Sequence, residues 1–203
     1  MKYSSSTMKL CLIAILSMAV SACAVFPERE PRSIYHLPVS ELADSGETPR
    51  NVTLRISRPS VDDIQGGVRI IVSPDAITLQ GYRQAQWNAP VPVLLRDHLI
   101  DAFRSDGRFK SIVSDRESLR ADLELGGHLR AYRVEYENGL PYVKVLFDAN
   151  LIDLAENRVI RSRRFHINEA LAAEPVEEAV RAFWRATETL SRELVAWLVA
   201  DTG

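Results

Sequence analysis

The chain has 203 residues, of which 46% are hydrophobic and 26% are charged, and its formal net charge is −2 at pH 7. This composition is typical of a globular domain with a sizeable core, and it excludes collagen-like and intrinsically disordered chains. Lysine and arginine are spread along the sequence without a basic excess, so we expect no nucleic-acid partner.

The N-terminus has the pattern of a secretory signal peptide. Lys2 and Lys9 come first, an apolar run extends from Leu10 to Val20, and no acidic residue occurs before Glu28. The run has eleven residues, and it is too short for a membrane-spanning helix, which needs about 20 apolar residues. We therefore predict that residues 1–22 form a signal peptide that is removed.

Directly after the apolar run, two small residues precede a cysteine in the segment Ser21-Ala22-Cys23. It resembles the lipobox of bacterial lipoproteins, in which the thiol receives a diacylglycerol before cleavage in front of the cysteine. The resemblance predicts cleavage after Ala22 and lipidation of Cys23, palmitate included. The alternative is an ordinary secretory signal with a chance cysteine. Cys11, the only other cysteine, lies inside the signal peptide, so the mature chain has no partner for a disulfide.

The lipidated cysteine predicts where the mature chain is held. Its two or three acyl chains anchor a protein stably in a membrane, whereas one chain does not. In Gram-negative bacteria an Asp after the cysteine tends to retain a lipoprotein in the inner membrane, and here that residue is Ala24. We therefore expect an outer-membrane location facing the periplasm. Four prolines between residues 24 and 51 predict a tether, so we assign 23–51 to the lipidated N-terminus and tether and 52–203 to one domain.

The first half of this domain combines strand patterns with one helical pattern. Period-two alternation and short apolar runs predict strands at 52–56, 68–72, 77–87 and 109–113. Prolines at the start and apolar residues at spacings of three and four predict a helix between the last two strands, ending at Gly107. We expect His98 on the polar side of this helix, either as a surface residue or as a polar side chain with partners.

The sequence patterns of the second half of the domain predict a meander of long strands and a C-terminal helix. The strand patterns cover residues 121–136, 143–151 and 158–167. Asn138-Gly139 predicts a tight hairpin, and Gly126-Gly127 predicts a β-bulge. From Pro175 onward an apolar stripe predicts a helix that covers the sheet. The alternative is an amphipathic helix that lies on a membrane, and the mixture of acids and arginines on its polar face argues against it. The whole order predicts an α+β fold: a largely antiparallel sheet with a long-stranded meander, and two main helices packed on one face.

Motifs for catalysis and metal binding are missing from the sequence. It contains no nucleophile elbow, zinc-protease motif, P-loop or dinucleotide fingerprint. None of its four histidines has another His or Cys at metal-ligand spacing. Asp62-Asp63 precedes Gly66-Gly67, and we interpret this pair as a solvated turn and not as a paired-carboxylate site. We predict a protein that is not an enzyme and that holds no metal and no cofactor.

Arginines cluster in the last strand of the predicted meander. Arg161 and Arg163 are expected to share a strand face with Val159 and Phe165, an arrangement able to meet phosphate or an acidic partner surface. The alternative is that edge-strand arginines discourage aggregation between sheets. We keep Arg161, Arg163 and Arg164 as candidate partner or lipid contacts.

Several stretches resemble the ABC-type transport auxiliary lipoproteins, and together they cover nearly the whole mature chain. They consist of packing residues: Tyr35-His36-Leu37, Gly81-Tyr82 through Trp87, Pro90, Leu94-Leu95, Leu99, Phe103, Gly107-Arg108-Phe109, Ala121-Asp122, Leu151-Ile152-Asp153 and Trp197-Leu198. Within this set Trp87 is a further candidate partner or lipid contact. The alternative for Trp87 is a buried anchor between the third strand and the first helix.

The resemblance implies a non-catalytic outer-membrane component of a lipid transport system. In such systems, the paraquat-inducible system among them, an inner-membrane ABC transporter works with a protein that carries mammalian cell entry (MCE) domains. The lipoprotein would dock the far end of the tunnel formed by the MCE protein. Phospholipid and further copies of the chain are additional candidate partners. The alternative function is another outer-membrane assembly or envelope-structural lipoprotein that binds a β-barrel partner, and the missing motifs argue against a lipid-anchored hydrolase.

Overall fold

The computed structural model describes residues 32–75, 77–172 and 175–200. The predicted signal peptide, Ala22 and Cys23 lie outside these ranges. A compact unit begins at Arg32, and the partly buried side chains of Leu37 and Leu42 pack against its core. The domain therefore begins well before residue 52, because much of the segment assigned to the tether packs on it.

Nine strands and two helices make up the described part of the chain, and this confirms the predicted α+β class. The strands are β1 (Ser33–Tyr35), β2 (Arg50–Ile56), β3 (Ser60–Val61), β4 (Arg69–Ser73), β5 (Gln80–Trp87), β6 (Phe109–Ser114), β7 (Leu123–Glu137), β8 (Leu140–Asp153) and β9 (Arg158–Ala170). The helices are α1 (Val91–Asp106) and α2 (Val176–Val199).

The meander β7-β8-β9 is longer than its sequence pattern indicates, with strands of 15, 14 and 13 residues. Its strands pair antiparallel along nearly their full length. Asn138 (φ 53°) and Gly139 (φ 80°) form the predicted two-residue hairpin. The bulge prediction is wrong: the register runs unbroken through Gly126-Gly127 and shifts between Leu129 and Ala131, which leaves Arg130 as the extra residue.

The other edge of β7 is shared by three short strands. β2, β3 and β4 pair with it in parallel, one after another along its length. β2 continues in parallel to β6, and β4 pairs antiparallel with β5, which in turn pairs in parallel with β1. The sheet is therefore mixed, but it is mostly antiparallel by paired residues because the meander supplies the longest ladders.

A side chain takes the place of a strand in the gap between β3 and β4. Gln65 is 2% exposed. Its Nε2 donates to the carbonyl oxygen of Arg130 at 3.0 Å, and its Oε1 accepts from the backbone N–H of Tyr132 at 3.1 Å. Gln65 thus satisfies two backbone groups of β7 that no strand reaches, at the position of the bulge.

The two helices pack on the sheet face from which alternate residues of β8 project, and they enclose one core. The buried β8 residues on this face are Val143, Val145, Phe147, Ala149 and Leu151. Helix α1 begins after Pro90 and ends at Gly107, whose φ of 76° provides the predicted left-handed C-cap. Neither helix in the described ranges is both long and apolar enough to cross a membrane.

Candidate functional site

Trp87 lies at the centre of the core and not at a surface. Its side chain is 1% exposed. Its ring packs edge-on to Phe183, with the ring centroids 5.4 Å apart, and lies 6.3 Å from the ring of Tyr132. A side chain with so little exposed surface cannot contact a partner, so this arrangement corresponds to the buried-anchor alternative.

The arginines of β9 are divided between the two faces of the sheet. Arg161 pairs with Leu151 and Arg163 with Ala149, which places both on the face covered by helices, together with Phe165. Arg164 pairs with Asp148 on the opposite face. The expected companion Val159 is not on the face of Arg161, because a register shift places Val159 opposite Ile152.

On the helix side, Arg161 binds the carboxyl end of α2. Its Nη1 donates to the carbonyl oxygen of Trp197 at 2.9 Å, and its guanidinium carbon lies 4.7 Å from the centre of the Trp197 ring. Arg50 donates to the carbonyl oxygen of Val199 at 2.7 Å. Helix α2 has no basic residue in its last turn, so cations from β2 and β9 bind its terminal carbonyl groups. Arg161 therefore has a structural role.

The meander face that points away from the helices is here called the open face. Its residues are Arg130, Arg133 and Glu135 in β7, Tyr142, Lys144, Leu146, Asp148 and Asn150 in β8, and Ser162, Arg164, His166 and Asn168 in β9. Asp148 accepts hydrogen bonds from Arg130 and from Arg164, whose Nε lies 2.6 Å from Oδ1. These bonds from Arg164 and Arg130 hold the pKa of Asp148 far below its usual range.

A second cluster of charges surrounds Glu135 on the open face. Its carboxylate accepts from Arg133 Nε at 2.9 Å, from the Tyr142 hydroxyl at 2.8 Å and from Lys144 Nζ at 3.1 Å. Burial opposes the ionisation of Glu135, but bonds from Tyr142 and Lys144 outweigh it and lower its pKa. Burial and Glu135 together raise the pKa of Tyr142 to about 12. The open face is thus an array of paired charges and not a basic patch.

Residues 36–45, here called the strap, are bound to both helices. His98 of α1 has Nδ1 3.2 Å from the carbonyl oxygen of Pro38 and Nε2 2.9 Å from Glu188 Oε1 of α2. The same oxygen of Glu188 accepts from the backbone N–H of Glu41 at 3.2 Å. His98 is 4% exposed, so of the two expected alternatives it is a polar side chain with partners and not a surface residue. The strap covers the polar side of α1 at this residue and provides polar partners.

Sequence reasoning missed the strap, although one signal for it was present. Glu188 directly follows Thr187 of the predicted apolar stripe of α2, and it is 7% exposed. A carboxylate beside such a stripe requires a polar partner from elsewhere in the fold. No group of His, Cys, Asp and Glu in the described ranges is arranged to hold a metal ion.

The fold and these surfaces define a class of protein, an α+β domain that offers paired-charge contact surfaces and follows an N-terminus with a lipobox pattern. The family model of the ABC-type transport auxiliary lipoprotein component matches residues 35–195. The chain therefore belongs to the family of ABC-type transport auxiliary lipoproteins. The members of that family are described as the auxiliary lipoprotein component of ABC-type transport.

Two solved structures are similar to this fold, and one relative is similar in sequence. A crystal structure of a Xanthomonas campestris protein matches with a TM-score of 0.76 and 26% identity, covering 83% of this chain and 95% of that chain. Another, of an uncharacterized protein, matches with a TM-score of 0.67 and 18% identity over 83% and 99% of the two chains, and it shows the fold alone. An uncharacterized protein of Bradyrhizobium diazoefficiens is 23% identical over 171 residues, 80% of this chain. The chain spans about half (46%) of the length of that curated relative.

Proposed function

We propose that the chain is an outer-membrane lipoprotein, anchored through an acylated Cys23 exposed by cleavage after Ala22, with its domain in the periplasm. It catalyses no reaction and docks the MCE protein of an ABC-type lipid transport system. The observation that carries this proposal is the family match over residues 35–195, which includes nearly all of the described domain.

The distance between the anchor and the domain supports a docking role close to the membrane. The compact unit begins at Arg32, nine residues after Cys23. A fully extended chain of this length spans at most roughly 30 Å. A free tether up to residue 51 would span roughly 95 Å. The acylated N-terminus therefore holds the domain within a short distance of the membrane surface.

The open face is the surface we assign to the MCE protein. The helices cover the opposite side of the meander, whereas residues of the open face such as His166 and Asn168 are exposed. Rows of paired charges on a long, regular sheet favour a specific polar contact, because a partner must match the pattern of donors and acceptors. Arg164 belongs to this surface, whereas Arg161 does not.

Photo-crosslinking in cells tests this assignment. A photoreactive residue at His166 or Asn168 should capture the MCE protein, whereas one at Arg192, exposed on helix α2 on the opposite side of the meander, should not. Equal capture from Arg192 would show that the open face is not the contact. Capture of a different outer-membrane protein, with no MCE protein, would favour the alternative assembly role.

Fractionation of the same cells tests the anchor. Cys23→Ser should move the protein from the membrane fraction to the soluble periplasmic fraction, because the acyl chains are lost. A variant that stays in the membrane fraction would contradict anchoring through Cys23.

A further inference from the structure

We propose that the groove where the chain enters the domain binds the phosphate of a lipid headgroup. The groove is a cavity of about 270 Å³ beside β4 and β5, and Arg32, Arg69, Arg83 and Gln86 are among the residues that line it. All three arginines are exposed. We call this site the arginine groove.

Among the described residues, the lining of the arginine groove carries positive charge and no acidic side chain. None of its lining residues is acidic, and no ion pair joins its three arginines to any residue in the described ranges. A cavity along α1 differs, since its three arginines share the lining with Asp97, Asp101 and Glu117. Arg83 also lines the adjoining cavity together with Glu177, whose carboxylate there accepts a hydrogen bond from the Tyr35 hydroxyl at 2.7 Å. The groove therefore suits an anionic ligand.

One close approach of the backbone gives the Arg69 side chain its place in the groove. Arg69 of β4 lies opposite Gln86 of β5, and its side chain crosses Gly81. A Cβ at Gly81 would lie 3.3 Å from Arg69 Cδ, so the glycine leaves room for the arginine stem. Guanidinium groups bind phosphate oxygens through two parallel hydrogen bonds, so arginines around one cavity suit a phosphate group.

The position of the groove points to a lipid as the source of this phosphate. Arg32 is the first residue of the compact unit and lies nine residues after Cys23, within roughly 30 Å of the anchor. This step rests on the proposed acylation of Cys23. Arginines at the surface of an anionic membrane each increase binding about fivefold, so the groove would hold this end of the domain against the headgroups.

Binding is measured with the full chain in a neutral maltoside detergent, by the phosphorus NMR signal of dihexanoyl phosphatidylglycerol. Competition with inorganic phosphate and with dihexanoyl glycerol, which lacks the phosphate, separates the headgroup from its parts. The variant carries Arg32→Gln, Arg69→Gln and Arg83→Gln. Its matched control carries Arg116→Gln, Arg120→Gln and Arg192→Gln, three exposed arginines elsewhere. Circular dichroism verifies that both are folded.

We expect saturable binding of the phosphatidylglycerol, weakened at least tenfold in the groove variant and within twofold of the parent in the control. Equal loss in both variants would reduce the effect to net charge and overturn the site. Inorganic phosphate that binds as tightly as the lipid would overturn the headgroup assignment, as would dihexanoyl glycerol that competes equally well. Absence of binding would overturn the proposal as a whole. Neither acylation of Cys23 nor an MCE protein is needed in this measurement, so its failure is distinct from failure of the docking role.

Discussion

At Gly127 the backbones of β7 and β8 come so close that a side chain has no room. A Cβ at this position would lie 2.1 Å from the carbonyl oxygen of Asp148 and 3.0 Å from Cε2 of Phe147. The φ of Gly127 is +150°, which side chains disfavour. The clash is with backbone and a buried ring, so it is relieved only by separating the two strands.

We therefore expect Gly127→Ala to lower the free energy of unfolding by at least about 2 kcal/mol, measured by urea denaturation. Gly126→Ala is the matched control, because a Cβ there has only Glu124 Oε1 nearby, at 3.7 Å, and that flexible carboxylate can move. Equal stability of the two variants would show that β7 and β8 adapt to a Cβ at Gly127.

The pair Gly126-Gly127 shows what prediction from neighbouring residues alone misses. Two glycines inside a strand pattern indicate either a bulge or a close approach of backbones, and the local pattern favours the bulge. The structure has the close approach at Gly127 and the bulge at Arg130. The bulge lies beside Gln65, whose side chain binds the backbone on both sides of it. Gln65 is 65 residues away from Arg130 in sequence, so the local pattern around Arg130 does not predict this bulge.

At the scale of whole elements, the carboxyl end of helix α2 depends on arginines from strands β2 and β9. Arg161→Ala removes the hydrogen bond to the Trp197 carbonyl and the cation–π contact with the Trp197 ring. We expect the free energy of unfolding to fall by about 1–2 kcal/mol, measured as a shift in the urea midpoint. Arg163→Ala is the control, because Arg163 lies over the Phe165 ring of its own strand. If the control costs as much, the helix terminus is not the cause.

The strap makes stability depend on pH through His98. Burial lowers the pKa of His98, against the opposing effects of Glu188 and the Pro38 carbonyl. The folded protein therefore takes up this proton less readily than the unfolded chain, whose histidine pKa is about 6.5. Stability is unaffected well above that pH and decreases as the pH falls below it towards the folded pKa.

We accordingly expect the parent chain to lose more stability between pH 7.5 and pH 5.5 than His98→Gln does, by urea denaturation at both pH values. His166→Gln, a change at an exposed histidine of β9, should keep the pH dependence of the parent. A parent that is less sensitive to acid than His98→Gln would mean that the fold stabilises the protonated imidazole beside Glu188.

Elements with regular periodicity were predicted well, whereas the strap was not. The Asn138-Gly139 hairpin and the Gly107 cap follow from local backbone requirements that the residues themselves display. The prolines and acids of residues 32–51 are equally compatible with a tether and with a chain that packs on a domain. Contacts with residues far along the sequence, such as His98 and Glu188, determine that part of this segment packs on the domain. The candidate arginines of β9 lie on two faces because adjacent residues of a strand alternate. Val159 alone left its expected face, through a register shift that does not show in the sequence.

For the whole molecule, the start of the domain at Arg32 sets how far it can move from an acylated Cys23. A short connection keeps the domain close to the membrane. It thereby raises the local concentration of the domain for a partner at the same membrane. β1 reinforces this geometry, because tension on the N-terminus acts on β1, which pairs with β5 along Ser33–Tyr35. Under the proposed acylation of Cys23, the domain therefore stays within roughly 30 Å of the membrane surface.

This geometry predicts the effect of lengthening the connection. A flexible insert of about 20 Gly and Ser residues between Cys23 and Arg32 adds an r.m.s. reach of roughly 25 Å. We expect membrane retention to be unchanged, and crosslinking from Asn168 to the MCE protein to fall several-fold. The same insert at Gly46, an exposed turn where a Cβ would have nothing within 4 Å, lengthens a loop without changing the spacing from Cys23 to Arg32, at a small cost in loop entropy. Equal crosslinking with both inserts would show that docking does not depend on a short anchor.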